Sequence, residues 1–288
     1  MKLAYLILAH HKMELLDRLM HAIYSPDHSY MIHVDAKADA DLHRYADELA
    51  AANPNIKILP SRSATWACWS LVQVELDGIK ELLHEQWDFY ILLSGQDFPA
   101  ASQEAICRTL APYPGKNFMR IGTMPPEEEE LRLNHYYVED CGEMKTMGPR
   151  NSFGSYFVEG FKPYMGSQWK ILHRSFCEFA VSSPLSFDMQ DYFRYALVPD
   201  ELFFHTLLMN STYKDSLINN HLRYYEMDEF HTSFRRAKTL AMEQIKDIDF
   251  HNPARPVLFV RKVDDEREPE VISFLEKRLA PGADAVQP

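Results

Sequence analysis

The feature that most constrains this chain is an alternation, through its first half, of short apolar runs with amphipathic stretches. LAYLIL (3–8), SYMIHV (29–34), NIKILP (55–60) and DFYILL (88–93) are apolar segments of strand length. Between them, residues 13–23, 39–51 and 70–83 repeat apolar side chains at helical spacing. Buried strands separated by helices predict an α/β fold, a mostly parallel twisted sheet flanked by helices. Open sheets of this kind bind ligands beyond the carboxyl ends of their strands. The loops after Leu8, Val34, Pro60 and Leu93 are therefore expected to line the site.

Beyond Gly115 the pattern changes. FMRIG (118–122) predicts one more strand, and the run Glu127 to Glu130 then opens a polar, tyrosine-rich stretch. Four adjacent glutamates read as a solvated helix face. The whole weakly periodic segment, about 125–161, reads as a lid or acceptor-binding insertion. Helices are expected at 174–181, 186–195 and 200–209, with Asp200 in a first turn behind Pro199, and strands at 222–227 and 257–263. Nothing resembles a linker, so 1–279 reads as a single domain and 280–288 as a flexible tail.

The formal net charge of −12 opposes binding to nucleic acid or to an anionic membrane. A phosphate-bearing ligand then requires a local cationic cluster, and Arg235, Arg236, Lys238, Arg261 and Lys262 supply one. Arg261 and Lys262 interrupt the apolar run VLFVRKV, and strand alternation sends one of the two inward. An inward cation needs an anionic partner, either a diphosphate or a buried carboxylate. The four cysteines are widely spaced, with no CxxC pair, which suits reduced thiols in a cytoplasmic protein. The apolar N-terminal run stops at His10, far short of the roughly 20 residues of a membrane span. The chain is accordingly expected to be cytoplasmic, at most peripheral at the inner face of a membrane.

No GxGxxG, Walker A, GxSxG or HExxH pattern occurs, so the site must be assembled from scattered loops. Asp35 of IHVDAK ends a strand, where it either contacts a base or ribose or caps a nearby helix. Asp39-Ala-Asp41 has the look of a metal-binding Asp-x-Asp but falls at a helix start, where acids complement the dipole, so no metal is assigned to it. LLSGQDFP (92–99) places Gln96 and Asp97 in a turn that is either structural or ligand-facing, with Gly95 allowing close backbone approach. VPDELFFHTLL (198–208) sets Glu201 at a helix head with His205 four residues on. A carboxylate there either stabilises the helix or acts as a general base toward a hydroxyl.

In order along the chain, LAYLILAH, YMIHVDAK, ATWACWSLVQVELDGIKELL, YILLSGQDFP, GSQWKILHRSFCEFAV, VPDELFFHTLLMNS and LFVRKVD resemble the core-2/I-branching β-1,6-N-acetylglucosaminyltransferases and peptide O-xylosyltransferases of glycosyltransferase family 14. The resemblance implies a GT-A-type fold, a UDP-sugar donor (GlcNAc or xylose), inversion at the anomeric carbon and no metal or other cofactor. It implies Glu201 as catalytic base and Lys262 with Arg235, or else Arg236, as diphosphate ligands. It further implies Asp35 on the uridine, Gln96 and Asp97 near the donor, and Trp169 and Tyr225 as sugar-stacking rings. Eukaryotic relatives are membrane-anchored and rich in disulfides. This chain lacks both features, which implies a bacterial-type member acting on a glycan or lipid-linked saccharide in surface-polysaccharide synthesis. A noncatalytic nucleotide-sugar or glycan-binding module and a glycoside hydrolase with paired carboxylates are the alternatives.

Overall fold

The computed structural model describes residues 1–228 and 236–280. The first half folds as its pattern predicts: β1 (Leu3–Ala9), α1 (Met13–Ile23), β2 (Ser29–Val34), α2 (Ala40–Ala52), β3 (Ile56–Leu59), α3 (Trp69–Leu82) and β4 (Phe89–Ser94). There follow β5 (Asp97–Pro99), α4 (Gln103–Leu110), β6 (Asn117–Thr123), α5 (Pro126–Leu133), β7 (His135–Asp140), β8 (Glu143–Pro149), α6 (Phe153–Tyr156) and β9 (Tyr164–His173). Helices α7 (Arg174–Ser182), α8 (Pro184–Phe193) and α9 (Phe203–Met209) lead into β10 (Leu217–Ile218) and β11 (Arg223–Tyr224). The last described elements are α10 (Met242–Lys246), β12 (Phe259–Arg261) and α11 (Pro269–Leu279).

The main sheet has the order β10-β6-β9-β4-β1-β2-β3. β1, β2, β3 and β4 pair in parallel, as do β6 and β10, while β9 runs antiparallel between β4 and β6. Alternate residues of β1 feed opposite faces: Ala4 and Leu6 join the core under α3 and α7–α9, and Leu3, Tyr5 and Ile7 the core under α1, α2 and α4. Burial on both faces is why these strands read as unbroken apolar runs. β1 lies between β2 and β4, so successive crossovers leave it in opposite directions and open a crevice above its carboxyl end. A small three-stranded sheet, β11-β12-β5, packs on α10 and α11 beside that crevice.

Three sequence expectations are corrected. β9 had no strand signal, because Gly166, Ser167, Gln168 and Lys170 break its apolar run, yet it is central to the sheet. Its buried Lys170 is neutralised by Glu75 of α3, with Nζ at 2.9 and 2.7 Å from the two carboxylate oxygens. The expected strands at 222–227 and 257–263 shrink to β11 and β12, since the chain leaves the ladder at Tyr225 and Lys262 to line the crevice. The expected helix at 200–209 is split. Residues Pro199–Glu201 form a separate 3₁₀ turn, Leu202 is non-helical, and α9 starts only at Phe203. The 125–161 insertion carries α5, the β7–β8 hairpin and α6, and the tail beyond Ala280 lies outside the described residues.

Candidate active site

A cavity of about 670 Å³ opens at the crevice between the carboxyl ends of β1 and β4. His10 after β1, Trp66 ahead of α3, and Ser94 and Gln96 after β4 line it, as three of the four predicted loops require. The loop after Val34 contributes no lining residue. The far walls come from β9 (Ser167, Gln168, Trp169), the 3₁₀ turn (Asp200, Glu201), α5 (Glu128, Arg132) and the small sheet (Tyr225, Arg261, Lys262). His10 is held neutral, its pKa lowered to about 4 by burial and by the adjacent His11.

One end of the cavity is cationic. Arg261 is directly opposite Asp97 across the β12–β5 pairing, and its Nη1 meets both carboxylate oxygens at 3.0 Å. Its guanidinium lies 3.8 Å from the centre of the Trp169 ring, and its Nε has no partner. Lys262, one residue beyond β12, lines the same cavity and has no ion pair among the described residues. Burial first, then Arg261 and Arg236, pulls Lys262 below the ordinary lysine value. Arg236 lies over Trp66, 5.2 Å from the ring centre, and lines the same cavity. With Asp97 offsetting a single charge, the cluster retains an excess of positive charge suited to a diphosphate. Arg235 lies outside the described residues.

The other end is acidic. Val198 adopts a left-handed backbone (φ 53°), which a β-branched residue rarely does, and its N–H is tied to the Ala67 carbonyl at 3.0 Å. That turn starts Pro199–Glu201 and brings both acids to the cavity wall. Glu201 Oε2 accepts a 2.8 Å bond from Arg132 Nη1, while Arg132 Nε reaches Glu128 Oε2 at 2.5 Å. Glu201 Oε1 has no bond to another described residue. Asp200 is more deeply buried, and burial together with neighbouring Glu201 raises its pKa to about 7. His205 does not share the Glu201 face: it is fully buried, its Nε2–H donates to the Ser167 carbonyl oxygen at 3.0 Å, and it stays neutral with a pKa lowered to about 3 by burial and then by Lys170.

The structure thus brings together Glu201, Lys262, Arg236, Gln96, Trp169 and Tyr225. It does not bring Asp35 or Asp97 to the wall. Asp35 accepts from the backbone N–H groups of Lys37 and Ala64, which fixes the loop after β2, and Asp97 is fully buried against Arg261 and the Ser94 N–H. Asp39 occupies the N-cap position of α2 without a side-chain cap bond, and Asp41 pairs with Arg44 on the surface. Among the described residues no three His, Cys, Asp or Glu side chains are grouped to hold a metal ion, and all four cysteines are free. A Cβ at Gly95 would meet only Ala9 at 3.9 Å, so no close approach demands that glycine. Arg132 and Glu128 are the site residues that sequence reasoning passed over, while Arg261 was read only as a member of the cationic cluster and Asp200 only as a first-turn acid. For Arg132 no local signal existed, and Glu128 was submerged in a run read as solvated.

Residues 3–249 match the family described as Core-2/I-Branching enzyme. A xylosyltransferase of Ciona intestinalis is 33% identical over 302 residues, covering 96% of this chain and 34% of that protein. Xylosyltransferase 2 of Homo sapiens is 30% identical over 296 residues, with the same two coverages. The chain therefore spans about a third of the length of the curated relatives it matches. Among solved structures, S. aureus TarS 1-349 in complex with UDP-GlcNAc aligns with a TM-score of 0.36 at 13% identity, over 67% of this chain and 54% of that one. No helix among the described residues is long and apolar enough to cross a membrane.

Proposed function

Because the chain belongs to the Core-2/I-Branching enzyme family of glycosyltransferases, we propose that this cavity transfers a sugar, xylose or N-acetylglucosamine, from a UDP-sugar to a hydroxyl of a glycan or glycoconjugate, inverting the anomeric centre without a metal ion. The observation that carries the reading is the shared cavity, lined at one end by Lys262, Arg261 and Arg236 and at the other by Glu201. In this reading the acceptor hydroxyl donates its proton to Glu201 Oε1 as its oxygen attacks the anomeric carbon. The bond from that carbon to the diphosphate oxygen breaks with its electron pair, and the new negative charge settles among the three cations. Fixed charges at a leaving group stabilise the transition state much as a divalent ion does. Arg261 takes the place first assigned to Arg235, with Asp97 acting indirectly by holding the guanidinium. Trp169, stacked on Arg261, and Tyr225 remain the rings against which the sugar packs.

The test is Glu201→Gln, assayed for UDP release with UDP-xylose and UDP-GlcNAc and for UDP binding by calorimetry. General-base catalysis contributes roughly 10²- to 10⁴-fold, and the variant should lose that much turnover while binding UDP as before. Wild-type turnover should persist in excess EDTA. Full activity in the Gln variant overturns the base, and activity lost to EDTA and restored by Mn²⁺ overturns the metal-free mechanism.

A further inference from the structure

Asp200 stands apart from every other acid at the site. It lines the cavity yet is only 6% exposed, and its carboxylate makes no hydrogen bond to another described residue. Its Oδ1 is buried without any partner. A buried acceptor with no donor is a net cost to the folded protein, tolerated where a ligand supplies the missing bond. The ordinary helix-end explanation fails, because the residue sits in a three-residue 3₁₀ turn closed off from α9 by non-helical Leu202. The neighbouring acids each have a cationic partner: Glu201 and Glu128 share Arg132, and Glu75 holds Lys170. Among the described residues Asp200 has no such partner.

We propose that Asp200 is a specificity-determining residue whose carboxylate accepts a hydrogen bond from a ring hydroxyl of the donor sugar. This rests on the reading of the cavity as the transfer site. Depth selects the donor sugar over the acceptor. Glu201 and Glu128, with side chains 33% and 30% exposed, are the accessible acids of the wall, and Glu201 faces the incoming hydroxyl. Asp200 is more deeply buried than either, and its turn packs against β9, the strand that carries Trp169, whose ring contacts Arg261. A sugar joined to the diphosphate and attacked from the Glu201 side must occupy that inner space. Burial and the Glu201 charge already raise the Asp200 pKa, which fits an acid whose charged form awaits a donor.

The test compares wild type, Asp200→Ala and Asp200→Asn for calorimetric binding of UDP, UDP-xylose and UDP-GlcNAc, with thermal melts of the free proteins. UDP carries no sugar, so both variants should bind it as wild type does. The UDP-sugar that wild type prefers should bind Asp200→Ala at least about tenfold more weakly, the loss expected for a hydrogen bond to a charged group. The free Ala variant should melt at the same temperature as wild type or higher, since an unsatisfied buried group has been removed. An unchanged ratio of UDP-sugar to UDP affinity overturns the proposal, whether or not stability falls. An effect confined to the Michaelis constant for acceptor overturns the choice of donor. Failure of wild type to bind UDP at all is a separate result, and it removes the underlying reading along with the inference.

Discussion

Replacing Arg132 with Met should slow transfer through Glu201 while leaving donor binding intact. The residue is buried, and it joins Glu201 and Glu128 through bonds of 2.8 and 2.5 Å. Hydrogen bonds to charged groups contribute about 1.5–3 kcal/mol each. Both carboxylates are about a third exposed, so solvent screening places each bond at the lower end of that range. Loss of the pair should therefore destabilise the fold by about 2–3 kcal/mol, visible as a lower melting temperature. If the bond to Glu201 serves to aim Oε1 at the acceptor, about 1.5 kcal/mol of lost orientation lowers kcat by roughly tenfold. Arg132→Lys keeps the charge but not the fork that spans two acids, and should fall between the two. The assay is steady-state kinetics well below the melting temperature, with UDP affinity as control. The decisive comparison is the double variant with Glu201→Gln. Residues that act as one unit are non-additive, so Arg132→Met should cost little further turnover once the base is gone. An equal loss in both backgrounds, or an unchanged kcat in the single variant, would refute the positioning role.

Two further outcomes follow from other parts of the cavity wall. A Cβ at Gly166 would stand 1.8 Å from the Arg120 carbonyl oxygen and 2.8 Å from His205 Cδ2, so Gly166→Ala must push β9 away from β6. It should destabilise by more than 3 kcal/mol, as overpacking against backbone does at its severe end, and denaturant unfolding will measure it. Asp200 binds its proton more tightly folded, at about 7, than unfolded, at about 3.9. Its contribution to stability should thus decline as pH rises from about 4 to about 7 and be level outside that window. Glu201, Glu75, Lys170 and Cys68 all face it, so the test is the difference between wild type and Asp200→Asn across that range, not the raw profile. Identical pH dependence in the two proteins would contradict the assignment.

What could be read in the sequence follows from whether the information is local. β1 to β4 were legible because burial on both faces leaves uninterrupted apolar runs, and that alone located the crevice. The VLFVRKV run announced an inward cation, and Arg261 on Asp97 is that cation. Its partner is 164 residues away, so the sequence left carboxylate and diphosphate equally eligible. The structure answers part of this: Arg261 meets the carboxylate of Asp97, while Lys262 lines the cavity with no ion pair among the described residues. β9 was illegible for the converse reason. A lysine at the centre of a strand reads as surface, and only the fold reveals that Glu75, 95 residues earlier, neutralises it. Arg132 was hidden in the same way, in a segment whose composition suggests solvent.

Charge at the cavity wall is separated, and the separation bears on substrate orientation more than on affinity. Asp97 holds Arg261 from behind, so the cationic end gains rigidity, while Lys262 and Arg236 have no ion pair among the described residues. At the opposite end Arg132 is shared by Glu128 and Glu201, and Asp200 lies beside them. One cation facing two glutamates leaves that end negative, and more so when Asp200 is ionised. A nucleoside diphosphate sugar is itself polar along its length, with charge at the diphosphate and neutral hydroxyls on the sugar. Entry with the diphosphate against the acids is repelled, while entry toward Lys262 and Arg236 is favoured and places the hydroxyls among acceptors. Under the proposed function, the same field disfavours an acidic acceptor group approaching past Glu128.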